Sequence, residues 1–267
     1  MNDHAFEHYD KHYHRAMAYR DGKILTVDEL ARDRAPRWLS RIPKDAHILD
    51  YGCADGYMLW VLHTLGYRNL VGADISESVL RLARTRLANT SVELRNLTAN
   101  ALNEYVERFD VIIMHQVLEH IPREDVIPTL THLRGLLKVD GLISIAVPNA
   151  SAIGATFNHA RDFTHQVLYE EISLRQVLEL SGLTEMEVVL HPPTLYFHPR
   201  RPTRMLARLS NRLRHHLNNA FHRAIYALGD HYPPRPSCFE YSVEVVAYRR
   251  SSTQISQTDA LEPQLDT

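Results

Sequence analysis

The chain has little of what would fix it outside a reducing compartment or inside a membrane. Two cysteines occur in 267 residues, Cys53 and Cys238, too few for the disulfide frameworks of small secreted folds. No apolar run approaches the roughly 20 residues of a membrane helix. The opening Met1-Asn-Asp-His-Ala-Phe6 has neither the basic nor the apolar part of a secretory signal, so the cytoplasm is the expected compartment. Charge of one sign is also scarce: the formal net charge is -2, which exerts no global pull on nucleic acid. Glycine is sparse at 10 residues, so places where two fall close together stand out.

The clearest such place is His47-Ile-Leu-Asp-Tyr-Gly-Cys-Ala-Asp-Gly-Tyr-Met-Leu-Trp-Val-Leu62. Ile48 and Leu49 form an apolar run that stops at Asp50, and Gly52 and Gly56 frame a turn. Met58, Leu59, Val61, Leu62 and Leu65 then recur at helical spacing. This is a strand, a glycine turn and a helix, the opening unit of a doubly wound sheet whose turn lets a ligand approach the backbone. Leu70-Val-Gly-Ala-Asp74 is a second apolar strand ending in a carboxylate, where a parallel neighbour would offer an acceptor to ribose hydroxyls. A dinucleotide site fits less well, because the turn lacks G-x-G-x-x-G and carries Asp55, which would face a pyrophosphate.

ILDYGCADGY resembles the first motif of the class I S-adenosylmethionine-dependent methyltransferases, and VGADIS resembles their second. Phe109-Asp-Val-Ile-Ile-Met-His-Gln-Val-Leu-Glu-His120 and Leu133 through Pro148 follow in the family's order. The resemblance spans about Trp38 to Gly182. It implies an α/β fold with a seven-stranded, mostly parallel doubly wound sheet, a last antiparallel strand and helices on both faces. It also implies S-adenosylmethionine as cofactor, held by Asp50, Tyr51, Gly52, Cys53, Ala54, Gly56, Asp74, Ile75, Thr98, Ala99 and His115. Thr98 stands where the family carries an acid toward adenine, and Ala54 where it most often has glycine; alanine there is expected to keep a negative φ.

Around this core the expected organisation is an N-terminal helical cap over residues 1–43, a methyltransferase domain over 44–250, and a polar, disordered tail over 251–267. The cap holds Tyr13 and histidines at positions 4, 8, 12 and 14. A metal site on that histidine face is possible, but with no acid or cysteine to complete it a solvated face is expected, and no metal is assigned. Val111–Met114 is expected as the fourth strand, Leu142–Val147 as the fifth after a loop ending at Gly141, Met186–Leu190 as the sixth and Phe239–Tyr248 as the seventh. Between the last two, residues 191–237 form an insertion with helical apolar spacing and an arginine-rich polar face. Its Arg200 and Arg201 could bind a phosphorylated or nucleotide-linked acceptor. Contact with an anionic membrane is a lesser alternative, and RNA is not expected, since no aromatics interleave with the arginines.

Arg161-Asp-Phe-Thr-His165 with Tyr169 resembles an acceptor-covering loop in the small-molecule branch of the family. His165 is therefore the first choice to take a proton from an acceptor hydroxyl, followed by His120 and His115. Gln116, Asn149 and Tyr169 join Tyr13 and the two arginines as expected acceptor contacts. Glu119 is set aside as a packing residue. The expected reaction is O-methylation of a small polar acceptor such as a sugar or lipid-linked glycan precursor. Quinone or phenol O-methylation, small-molecule N-methylation and a noncatalytic cofactor-binding scaffold are the alternatives.

Overall fold

The computed structural model describes residues 35–98, 101–152, 155, 159–160, 162–189, 213, 216–217, 219–224 and 242–251. Most of the expected cap with Tyr13, most of the insertion with Arg200 and Arg201, Ala99, and the tail after Ser251 lie outside the described residues.

Seven strands form one sheet: β1 (His47–Tyr51), β2 (Asn69–Asp74), β3 (Glu93–Asn96), β4 (Phe109–His115), β5 (Leu137–Pro148), β6 (Thr184–Val189) and β7 (Ser242–Tyr248). Their order is β3-β2-β1-β4-β5-β7-β6. The first five are parallel, and β7 runs antiparallel to both β5 and β6. The chain winds outward from β1 to β3, then crosses back to β4, so the sheet's switch point lies between β1 and β4. Ligands of open α/β sheets sit beyond the carboxyl ends of the strands at such a point.

Helices α1 (Tyr57–Thr64), α2 (Glu77–Arg86), α3 (Arg123–Leu136) and α4 (Glu171–Leu180) complete the layers. Both sheet faces are covered, which is why the central strands read as continuous apolar runs. One core gathers Leu49, Ile112, Met114, Ile145 and Val245 with Leu130, Leu133, Leu174 and Leu178 of α3 and α4. The other gathers Ile48, Val111, Ile113 and Val246 with Leu59, Leu62, Leu80 and Ala83 of α1 and α2, and with Trp38. Ser76 caps α2 by accepting from the Val79 N–H at 3.4 Å, as its position before an apolar stripe predicts.

The start of β5 differs from expectation for a physical reason. β5 begins at Leu137, with Leu137 paired to Phe109 before a register shift, and Asp140 takes φ 64 within it; the Gly141 region is a bulge in the strand and not a loop before it. β7 is described from Ser242, and residues 239–241 of the expected strand lie outside the described residues. Both of its faces are buried, because Glu244 and Val246 lie inside as fully as Val243 and Val245. No helix of the described residues is long and apolar enough to cross a membrane.

Candidate active site

The turn after β1 is held by the strand beside it. Gly52 and Cys53 both donate N–H to the Ala73 carbonyl, at 2.7 and 3.0 Å. The Asp74 carboxylate accepts from the Ala54 N–H through Oδ2 and from the Ser76 N–H through Oδ1, each at 2.9 Å. Ala54 has φ 49, not the negative value expected for alanine. A left-handed alanine costs on the order of 1–2 kcal/mol, and the hydrogen bond that the Ala54 N–H donates to the charged Asp74 carboxylate offsets that cost.

Asp50 pairs in register with Gly72 on the adjacent strand, which brings it close to Asp74 at the same rim. It is buried, and burial, then the negative charges of Asp74 and Asp55, push its carboxyl up to about 7. A carboxylate so placed is stabilised by a cation, and the ammonium and sulfonium groups of S-adenosylmethionine are cationic, so these residues fit the cofactor. Asp55 plays a different part from the one expected. It turns to Arg86, 2.8 Å away, and its Oδ1 receives the Tyr57 N–H at the start of α1. Asp55 therefore gives no argument against a pyrophosphate, and Asp50 takes over that role. Ile75 follows Asp74 with 43% of its surface exposed, an apolar face fit for adenine, and Thr98 is exposed just after β3. Burial pushes the Cys53 thiol well up, which keeps it inert as a nucleophile.

On the other side of the switch point stand the histidines. His115 ends β4, and Gln116 turns the chain with φ 57, its N–H on the Ala146 carbonyl at 2.7 Å and its side chain reaching the Ser242 hydroxyl at 3.3 Å. Next come Val117 and a short 3-10 turn, Leu118–His120. The loop carrying His165 is pinned to that turn, because Gln166 and Val167 donate N–H to the Glu119 carbonyl. Thr164 spends its hydroxyl proton on Asp162 at 2.6 Å, so it accepts from His120 Nδ1 at 2.8 Å. The rings of His120 and His165 lie 4.8 Å apart, and His159 stacks on His165 at 5.6 Å. Asn149 and Tyr169, expected to touch the acceptor, are buried at 1% and 2% exposure. They bridge to each other as strand-like neighbours, and Asn149 Oδ1 takes the Ser151 N–H, so both are tied into the corner after β5.

Glu119 is the residue that sequence reasoning undervalued. It is buried, and neither carboxyl oxygen has a hydrogen-bond partner among the described residues; His165 Nδ1 is likewise unpartnered. Burial, with Asp162 adding to it, pushes Glu119 up to about 8. Burial and then the neighbouring His165 bring His120 down to about 4, and burial lowers His165 in spite of Asp162. Ligand atoms of Glu119, His120 and His165 all lie within 4.8 Å of one another, so either a proton on the carboxyl or a cation shared by the three would relieve the buried charge. In the proton case the folded state holds a proton that the unfolded chain gives up between about pH 4.5 and 8, so this group's contribution is present at low pH and is lost as pH rises through 8. Glu119→Gln should match the wild type near pH 5 and exceed it by a few kcal/mol in denaturant unfolding near pH 9. Were a cation the answer, chelated wild type would gain stability on adding a divalent metal and Glu119→Gln would not.

A shallow depression lined by Trp38, Arg41, Asp110 and Tyr248 lies at the amino ends of β4 and β5, away from these groups and from the ligand rim of such sheets.

Residues 19–188 match a family model described as a methyltransferase domain. The chain is 34% identical over 173 residues to a ubiquinone biosynthesis O-methyltransferase of Rhizobium johnstonii, covering 57% of this chain and 68% of that one. It is 32% identical over 183 residues to a protein of the same name from Sinorhizobium fredii, covering 62% and 69%. Among solved structures, an S-adenosylmethionine-dependent methyltransferase from Archaeoglobus fulgidus superposes with a TM-score of 0.60 at 17% identity, covering 89% of this chain and 99% of that one.

Proposed function

The chain belongs to the class I S-adenosylmethionine-dependent methyltransferases, and from that premise we propose that its acceptor is the hydroxyl of a phenol or quinol. The observation that carries this reading is the name shared by the two relatives described above, ubiquinone biosynthesis O-methyltransferase. Acceptor chemistry supports it independently. A phenolic hydroxyl has a pKa near 10, within reach of an imidazole base, and the rim at the end of β4 is lined with imidazoles. The sugar or glycan acceptor expected from the arginine-rich insertion has no such support.

Bound S-adenosylmethionine supplies a methyl carbon activated by its sulfonium and open to in-line attack. The chain's own residues do the positioning, which accounts for most of the rate in such a displacement. Asp74 and the turn at Gly52 to Gly56 fix the adenosyl end, Asp50 attracts the cationic end, and the loop from Asp162 to Tyr169 fixes the acceptor wall against Glu119. One of the rim imidazoles, His115, His120 or His165, takes the hydroxyl proton.

Purified protein incubated with methyl-labelled S-adenosylmethionine and separate pools of catechols and quinols, nucleotide sugars and primary amines tests this. Label is expected in the phenolic pool. Label confined to sugars or to amines would overturn the acceptor class. Tight cofactor binding with no transfer to any pool would favour the scaffold alternative. In the same assay His165→Ala should slow turnover at least tenfold if His165 is the base; full turnover would remove it from the chemistry.

A further inference from the structure

One buried ionisable group is used by nothing above. Glu244 lies in the middle of β7 at 1% exposure, on the sheet face that Val246 shares with Trp38. Two donors converge on its Oε1: the Ser144 hydroxyl at 2.6 Å and the Trp38 indole N–H at 2.7 Å. Strand alternation puts His115 on the same sheet face as Val111 and Ile113, and the register sets His115 beside Ala146 and Ala146 beside Glu244. Ser144, fully buried, stands between the two. His115 Nε2 is 2.9 Å from Ser144 Oγ and 3.7 Å from Glu244 Oε1. A continuous polar chain thus runs from a partly exposed imidazole at the active-site rim to a carboxylate deep in the core.

A serine hydroxyl has one proton, and this one is spent on Glu244, so Ser144 can only accept from His115. Nε2 therefore carries the ring proton and Nδ1 is the basic nitrogen. When Nδ1 takes a second proton, the positive charge spreads over a ring whose Nε2 is 3.7 Å from a carboxyl oxygen that is shut off from water, so it is screened less than a surface pair would be. His120 has a similar relay through the Thr164 hydroxyl, but it ends on Asp162, which is only half-buried; Glu119, the buried carboxyl beside His120 and His165, shares no hydrogen bond with either, and burial outweighs Asp162 for both histidines.

We infer that His115 is the proton acceptor of the transfer and that Ser144 and Glu244 are positioning residues, fixing its Nε2–H tautomer and stabilising the imidazolium as it forms. The acceptor oxygen uses a lone pair to bond the methyl carbon, and the carbon–sulfur pair stays with sulfur. The hydroxyl proton passes to His115 Nδ1 and leaves later to solvent; it is not handed on to Glu244. This rests on the O-methylation proposed above.

The experiment compares Glu244→Gln, Ser144→Ala and His115→Gln for melting temperature, cofactor affinity, KM and the pH profile of kcat. Glu244→Gln and Ser144→Ala are expected to bind cofactor within about threefold of wild type and to lose about 10- to 100-fold in kcat at unchanged KM. In Glu244→Gln the acid limb should also move down by about one pH unit. Asp50, Glu119, His120 and His165 can bend that profile too, but they are the same in every variant. Adding Glu244→Gln to His115→Gln should cost nothing further. Wild-type kcat in Glu244→Gln, or equal losses from it on both backgrounds, overturns the inference. If no acceptor pool accepts label, the O-methylation reading fails by itself. Nitrogen chemical shifts of His115 then decide the rest: a protonated Nε2, and a pKa that drops in Glu244→Gln, sustain the buried chain, while an unchanged titration overturns it. Should Glu244→Gln not fold, Ser144→Ala carries the same readouts.

Discussion

Asp74→Ala is expected to weaken S-adenosylmethionine binding by about 100-fold or more, an effect large enough to abolish turnover at ordinary cofactor concentrations. The residue acts twice. Its carboxylate is the acceptor at the end of β2 suited to ribose hydroxyls, and each hydrogen bond to a charged group is worth roughly 1.5–3 kcal/mol. It also holds the Ala54 N–H at 2.9 Å, and without it the left-handed Ala54 loses the contact that offsets its strain. Asp74→Asn keeps one side-chain acceptor and should fall between. Calorimetric titration from pH 6 to 8.5 reads a second consequence. Asp50 attracts the cationic end of the cofactor only when ionised, so wild-type affinity should rise with pH through about 7. Because Asp74 is among the charges that push Asp50 up, Asp74→Ala should move that rise to lower pH. Binding within threefold of wild type, or an unmoved midpoint, would show that the two carboxylates do not share a cofactor site.

The parts of this molecule that could be read in advance are those written in neighbouring residues. Leu70 to Asp74 spells a buried strand and its acidic end, and Ser76 before Val79 and Leu80 spells a helix start, because each depends on residues within a turn or a strand length. Ala54 could not be read this way: the sign of its φ is decided by a carboxylate twenty positions on, through the Asp74 hydrogen bond. The early start of β5 was hidden for a similar reason. Lys138-Val-Asp-Gly141 ends in a turn-forming Asp-Gly pair and looks like a loop, yet Lys138 is fixed by Asp110 at 2.8 Å and Asp140 donates its N–H to the Arg249 carbonyl.

The site divides along the same line. His115, His120 and His165 were legible as residue types at strand ends and in a recognisable loop. Their partners were not. Ser144 and Glu244 are 100 residues apart, and Trp38 and Glu244 are 206 apart, so no local pattern links them. In the sequence Glu244 is one acid in a strand whose apolar neighbours suggest a single buried face. Only the burial of both faces of β7 reveals it as an internal charge, and a polar residue within a fully covered strand is the signal that could have marked it. Glu119 was missed for the opposite reason. Its place in a short helical turn suggested packing, which is correct, but packing without a partner leaves a carboxyl that must hold a proton or a cation.

Gly52→Ala is expected to be the most destabilising single methyl that can be added to the active-site rim. A Cβ at this position would stand 2.2 Å from Val117 Cγ2, and the backbone has φ +80. Overpacking a tight contact costs typically about 1–3 kcal/mol and the left-handed alanine on the order of 1–2 more. For a domain of this size that sum corresponds to a melting temperature lower by roughly 5–15 °C. Val117 is β-branched and stiff at χ1, and it lies between Gln116 and the turn carrying Glu119 and His120, so it cannot yield without moving the acceptor side. Gly52→Ala with Val117→Ala separates the two costs: the pair should recover the overpacking share and keep the backbone share. Gly56→Ala is the comparison, since the nearest atom there is Leu87 Cδ1 at 2.8 Å, the end of a flexible side chain that can swing aside. If Gly52→Ala melts within a degree or two of wild type, the cofactor turn and the turn after β4 are not in the close contact described. The same contact predicts that in Gly52→Ala cofactor affinity and acceptor KM worsen together, whereas a turn that served the cofactor alone would leave acceptor KM untouched.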